Sequence, residues 1–207
     1  MKHGGPRERS VLEEGSTIAV IGGGPAGAFF AIHFLRQARE LRRKIRVVIL
    51  ERRLEACGAA CGATGVELKG CGYSAGGISP LLNDVLRKLN LRLPPEVIQS
   101  HIHSITVQGY WKNIELDVPG EREIVSVVRG GPFALRQGRC CNFDAFMLDC
   151  AAKEGAELIA GAVYDACYAE SRKPVLCYRR AGVESPLEAD ESCVRGRCQS
   201  LQGKLRG

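Results

Sequence analysis

A chain of 207 residues with 45% hydrophobic content is long enough to bury an ordinary core and is expected to form one globular unit or one and a half. No run approaches the roughly 18 apolar residues of a membrane span, and MKHGGPRERSVLEEGS at the start has neither the apolar core nor the cleavage site of a secretory signal. The expectation is therefore a cytosolic protein with no transmembrane segment, at most in peripheral contact with a membrane. Much of the positive charge behind the net +6 sits in RQARELRRKIR, a predicted helix end with few interleaved aromatics, which reads as a solvated face and excludes nucleic acid as a partner.

After a polar leader over residues 1–16, Thr17 to Ile21 (TIAVI) is a continuous apolar, partly β-branched run, the pattern of a buried parallel strand. Gly22 to Gly24 turn the chain, and the spacing from Pro25 to about Arg43 predicts a helix, with Pro25 in its first turn, where a missing N–H costs nothing. Arg46 to Leu50 (RVVIL) supplies a second buried strand, so that residues 17–51 form a β-α-β unit. Residues 52–78 carry Gly, Cys and Ala without usable periodicity and are expected to be a long functional loop. Helical spacing returns in PLLNDVLRKLNL, Pro80 to Leu91, stopped by Pro94 and Pro95.

The pattern then alternates. Ile102 to Gln108, Trp111 to Val118 and Glu123 to Val128 read as antiparallel strands with one wet face. Asn142 to Leu158 reads as a helix capped by Asn142 and ended by Gly155, followed by short strands at Glu157 to Ala160, Ala162 to Glu170 and Pro174 to Arg180. The organisation implied is a nucleotide-binding domain over 17–100 and 139–190, an inserted β subdomain over 101–138, and a disordered basic tail over 191–207.

Gly22, Gly24 and Gly27 follow a buried strand, open a helix and precede a second strand that ends in the acid Glu51. That context is what separates a dinucleotide fingerprint from a chance glycine match. Gly22 permits the tight turn, Gly24 admits the pyrophosphate to the backbone, and Gly27 lets helix and strand pack closely. The helix start, with Pro25 and Ala26, offers N–H groups to the phosphates, and Glu51 can accept hydrogen bonds from a ribose. An alternating insert in place of a further β-α repeat favours FAD over NAD.

On IGGGPAG (Ile21 to Gly27), ERR (Glu51 to Arg53), GCGYSAGGISP (Gly70 to Pro80) and RCCNFDAFMLDCAAKEGAEL (Arg139 to Leu158), the chain resembles the geranylgeranyl-reductase-like group of FAD-dependent oxidoreductases. That group lies within the larger family with the p-hydroxybenzoate-hydroxylase fold. The resemblance implies an α/β, Rossmann-like FAD-binding domain with an inserted antiparallel β-sheet subdomain, the C-terminal part of the fold missing. It implies that Gly22, Gly24, Pro25, Ala26, Gly27 and Glu51 hold FAD, that Arg52 and Arg53 flank the adenosine, that Arg139 lies by the cofactor with Arg136 a close competitor, and that the segment at Ala162 and Val163 meets the adenine. It further implies hydride transfer between flavin and a hydrophobic, isoprenoid-like double bond, with NAD(P)H or ferredoxin as reductant, and a substrate-side loop holding Cys71, Gly72, Gly76 and Gly77. No catalytic residue is nominated. The alternatives are an NAD- or FAD-binding protein without redox catalysis and a cysteine-rich metal-binding module.

Ten cysteines without a secretory signal are expected to be reduced. Cys57, Cys61 and Cys71 lie in the long loop at a spacing that matches neither zinc knuckles nor a regular cluster motif, and Cys140, Cys141, Cys150, Cys167 and Cys177 read as core packing. His101 and His103, two apart at the start of a predicted strand, would point to one face but lack a third ligand. After Leu187 to Asp190 the resemblance calls for an apolar strand, whereas this chain continues ESCVRGRCQSLQGKLRG. The expectation is that a frame change near Asp190 replaced the continuation, the alternative being a short protein with a flexible basic tail, that nothing beyond it completes the sheet, and that an exposed apolar edge leaves folding marginal and FAD affinity weakened.

Overall fold

Thr17–Ile21 forms β1, Arg46–Glu51 forms β2, and the helix α1 between them runs Pro25–Glu40. The structure is a computed structural model that describes residues 12–56, 66–68, 75–118, 122–129, 142–171, 173–194 and 197–198. β3 (Leu54–Ala56) pairs with β4 (Val66–Leu68), and β5 (Ala75–Ile78) leads into α2 (Pro80–Lys88). β6 (Ile98–Ile102), β7 (Ser104–Gln108), β8 (Asn113–Asp117) and β9 (Ile124–Val128) follow. The helix α3 (Phe143–Lys153) then returns the chain to β10 (Glu157–Ala160). β11 (Ala162–Tyr168), β12 (Pro174–Arg180) and β13 (Val183–Glu188) make an antiparallel sheet in that order. β14 (Glu191–Val194) and the two-residue β15 (Arg197–Cys198) are the last described strands.

The central sheet has the order β10-β2-β1-β14-β15, with β10, β2, β1 and β14 parallel. Alternate side chains of β1 and β2 leave on opposite faces, as strand geometry requires. Ile18, Val20, Val47 and Ile49 pack with Ala28, Ala31, Ile32 and Leu35 of α1 and with Met147, Leu148 and Ala151 of α3. Ala19 and Leu50 pack on the other side against Leu176 and Ala189, with Val163, Tyr178 and Leu187 at the margin. A sheet covered on both faces accounts for the unbroken apolar runs.

Three expectations are corrected. Residues beyond Asp190 do supply a sheet strand: β14 pairs with β1 in the register Ile18↔Glu191, Ala19↔Ser192, Val20↔Cys193 and Ile21↔Val194. Ser192 and Cys193 are buried, because a short strand of small side chains fits between covered layers without a long apolar run. The edge of β1 expected to lie bare is therefore paired. The 52–78 segment is not wholly loop, since β3, β4 and β5 fall within it; short paired strands without clear alternation leave little periodicity to read. The sheet of order β5-β9-β6 takes in β5, which precedes residue 101, and β6, which spans it, so a boundary at 100/101 cuts through it. In addition, α1 ends earlier than its apolar spacing suggested, at Glu40, while α3 ends at Lys153, just before the expected stop at Gly155.

Candidate nucleotide site at the end of the first strand

β1 lies beside both β2, which follows it through α1, and β14, which arrives after the antiparallel meander. Strand order therefore reverses at β1, and in open α/β sheets such a reversal leaves a crevice at the carboxyl ends of the strands. The turn from Gly22 to Gly24 sits at that place.

Backbone geometry assigns a separate task to each glycine. Gly22 has φ +99°, a left-handed conformation that side chains resist, and its N–H donates to the Leu50 carbonyl at 2.8 Å. A Cβ on Gly27 would lie 2.1 Å from the Gly22 carbonyl oxygen and 3.2 Å from Val20 Cγ1, so the turn and the first turn of α1 touch backbone to backbone. A Cβ on Gly24 would meet nothing within 4 Å; its front is open. Gly24 caps α1 without a side-chain hydrogen bond, and the first helical turn carries no acidic residue. Among the described residues the result is an open front at Gly24, before a helix N-terminus whose own first turn carries no acid to offset its partial positive charge.

Glu51 closes the side of this space. Its Oε2 accepts from the Gly23 N–H at 2.8 Å and its Oε1 from the Arg53 N–H at 2.9 Å. Both oxygens are thereby oriented, while each carboxylate oxygen retains a further lone pair for a hydroxyl donor. The Glu51 carbonyl accepts from the Gly161 N–H at 3.1 Å, which brings the start of β11, and so Val163, to the end of β2. Arg52 and Arg53 are exposed on the turn after Glu51. Gly22, Gly24, Pro25, Ala26, Gly27, Glu51, Arg53 and the Val163 segment thus converge on one end of the sheet.

Other site expectations fall elsewhere. Cys57, Cys61, Cys71, Gly72, Arg136, Arg139, Cys140 and Cys141 lie outside the described residues. Gly76 and Gly77 are strand residues of β5, paired with Val127 and Ser126. A Cβ on Gly76 would lie 2.6 Å from Arg129 Cδ. His101 is the penultimate residue of β6, while His103 lies between β6 and β7, so they do not share a strand face; His101 Nδ1 is 2.9 Å from Glu123 Oε2. Among the described residues no group of three or more His, Cys, Asp or Glu is placed to hold a metal ion.

Sequence reasoning missed a buried ion pair beside the site. Arg129, just after β9, donates from Nε to Asp144 Oδ1 at 2.8 Å and from Nη2 to Oδ2 at 3.0 Å. Asp144 stands in the first turn of α3 and is only 3% exposed. This fork ties the inserted sheet to the helix that packs under the nucleotide turn, where Leu148 Cδ1 lies 3.1 Å from a Cβ built on Gly23. The available sequence cue was the acid two residues after the Asn142 cap, whose side chain accepts from the Ala145 N–H at 2.8 Å.

The fold is similar to that of solved flavin-dependent enzymes. A flavin-dependent halogenase, CmlS, superposes with a TM-score of 0.56 at 21% identity, over 86% of this chain and 28% of that one. The flavin-dependent brominase Bmp2 gives 0.58 at 18% identity, over 86% and 37%. The p-nitrophenol 4-monooxygenase PnpA from Pseudomonas putida DLL-E4 gives 0.57 at 12% identity, over 88% and 40%. No family model matches the sequence, and no curated protein matches it. At these identities the likeness shows the fold, the Rossmann-like FAD-binding type with a sheet insert. This chain spans well under half the length of those structures.

Proposed function

We propose that this chain is the FAD-binding, N-terminal portion of a flavin-dependent oxidoreductase. The observation that carries the reading is the glycine turn at the strand-order reversal, with Gly27 locked under the Gly22 carbonyl and Gly24 open in front of an uncapped helix start. A pyrophosphate fits there because backbone N–H groups and the helix dipole favour an anion, and no acidic side chain of the first turn opposes it. Glu51, already held by two N–H groups, is set to accept from the ribose hydroxyls of the adenosine. Arg52 and Arg53 flank that end, and Val163 approaches the adenine.

FAD, when bound, supplies hydride transfer at its ring system, while the protein positions it and keeps water away. The finer reading, carried by the resemblance of GCGYSAGGISP and RCCNFDAFMLDC to geranylgeranyl-reductase-like enzymes, is reduction or oxidation of a hydrophobic, isoprenoid-like double bond. NAD(P)H or ferredoxin would be the electron partner. Arg139 and Cys71 are the residues proposed on that side.

Titration of the refolded chain with FAD, followed by quenching of flavin fluorescence, tests the reading. Saturable quenching is expected, with Glu51→Gln weakening it about tenfold, the worth of one charge-assisted hydrogen bond. Saturable NAD binding with no response to FAD would sink the proposal.

A further inference from the structure

The two faces of the β11-β12-β13 meander differ in kind. Ala166, Leu176, Tyr178 and Leu187 pack against the central sheet. Strand alternation therefore sends Asp165 and Cys167 of β11, Cys177 and Arg179 of β12, and Glu184 and Glu188 of β13 to the opposite face. Cys177 stands directly opposite Asp165, and Cys167 opposite Val175, so the two cysteines are diagonal neighbours on that outer face. Both are free thiols, half-buried and outside the two core clusters, where core packing was expected of them.

Diagonal placement decides which chemistry the pair can do. Diagonal backbones of an antiparallel pair stand about 7–8 Å apart, beyond the roughly 6.8 Å within which a disulfide usually forms. The side chains nonetheless lean together, with the Cys177 thiol in hydrogen-bonding reach of the Cys167 sulfur. Two sulfurs that share a proton, on backbones too far apart for a direct bond, are spaced for a third atom between them. Partial burial, the Cys167 sulfur and the carboxylates of Asp165 and Glu184 push the Cys177 thiol up, so at neutral pH it stays protonated and is a poor nucleophile toward oxidants. A metal ion that displaces those protons meets only two donors. Glu184 is engaged by Arg179 and Tyr164, and Asp165 accepts from the Ala166 N–H. Among the described residues no third His, Cys, Asp or Glu completes a cluster, so the four-coordinate shell of structural zinc is not built. Sulfur donors alone select copper(I), a soft ion stable with two ligands.

We propose that Cys167 and Cys177 form a two-coordinate copper(I) site on the outer face of the meander. Two neutral thiols and one cuprous ion give a bis-thiolate complex of charge −1 and two protons, with no change of oxidation state. The site is separate from the glycine turn, and the experiment needs no nucleotide.

The 207-residue chain carrying Cys57→Ser, Cys61→Ser, Cys71→Ser, Cys140→Ser, Cys141→Ser and Cys198→Ser keeps the pair together with Cys150 and the buried Cys193. Titrated without oxygen against the copper(I) complex of bicinchoninate, it is expected to withdraw one equivalent of copper and release two protons. Adding Cys167→Ser, or separately Cys177→Ser, should weaken copper retention at least about tenfold, since one donor cannot make the site. Cys150→Ser should leave it unchanged. Cys177→Met, which keeps a soft sulfur, should retain more copper than Cys177→Ser and release one proton. Matching far-ultraviolet circular dichroism would show that the variants fold. Three results overturn the proposal: no copper withdrawn, retention undiminished in both serine variants, or zinc held in preference to copper(I).

Discussion

β1 and β7 are both five-residue strands with β-branched residues, TIAVI and SITVQ, yet the three middle residues of β1 are buried while every residue of β7 is exposed. Intrinsic strand preference does not separate them. β1 has β2 on one side and β14 on the other, with helices and a meander on its faces, whereas among the described strands β7 has only β8. Burial is thus a property of the neighbours, and the sequence carries a trace of it: the first run is continuous, the second alternates.

Several substitutions would break or sharpen this contrast. The largest expected effect is at Gly27, where an alanine Cβ would meet the Gly22 carbonyl oxygen at 2.1 Å. Neither backbone segment can yield without disturbing β1 or α1, so Gly27→Ala should cost about 3 kcal/mol in urea unfolding, at the top of the overpacking range. It should also abolish FAD quenching. An unchanged midpoint would show that the turn is looser than the geometry implies.

Next comes the ion pair that ties the end of β9 to α3. Arg129→Met leaves the Asp144 carboxylate buried in the first turn of α3 without its fork and should cost about 2 kcal/mol. That is less than for a fully enclosed pair, because water reaches the half-buried arginine. Combined with Asp144→Asn, the loss should be clearly smaller than the sum of the two single losses, as a double-mutant cycle would reveal. Additive losses would mean that the pair does not couple the sheet to the helix.

Asp190 comes third. Its Oδ2 accepts from the Thr17 N–H at 2.7 Å, and its Oδ1 lies 2.9 Å from Lys173 Nζ. The Lys173 ammonium, with the Thr17 N–H, holds the carboxyl below the usual aspartate range. A lowered value in the folded state means a contribution that is present above the unfolded value of about 4 and lost as pH falls through the folded one. Lys173 is raised by the same contact, so its share is present below about pH 10 and fades as pH rises further. Asp190→Ala should cost about 1 kcal/mol at neutral pH, and the gap from the parent chain should shrink below pH 4. A gap independent of pH would assign the loss to packing instead.

The smallest change is expected in the β7–β8 ribbon. Ile105→Ser with Leu116→Ser should leave stability within about 0.5 kcal/mol, because exposed side chains contribute little to folding. A loss of 2 kcal/mol would show that the ribbon is covered in solution and that its likeness to β1 is closer than the exposures suggest.

The legible parts of the molecule were those where one residue type has one physical reason to be present. Gly22 and Gly27 could be given their turn and packing roles because a positive φ and a backbone contact admit little else, and Glu51 could be placed at the end of the second strand because it closes an apolar run. The Asn142 cap and the stop at Gly155 followed from local chemistry in the same way. β14 was illegible because ESCV has no periodicity of its own; its place comes from β1, which precedes it by most of the chain. The Arg129–Asp144 fork was hidden for a similar reason, since neither residue signals burial until tertiary packing brings β9 to α3. His101 and His103 misled because a strand break at His103 cancelled the alternation assumed for them.

The hydrogen bond from Thr17 to Asp190 spans 173 residues, and it has a consequence in time. On a ribosome working at about 5–20 residues per second, β1 is made roughly 10–35 s before its partner β14. Until then only β2 can shield it, and one edge of TIAVI offers unpaired N–H and carbonyl groups to any passing strand. The nucleotide turn at the far end of β1 can form early, from α1 and β2 alone, while the sheet that fixes its strand is closed last. Nascent-chain folding of this protein is thus expected to depend on protection of residues 17–21 during that interval.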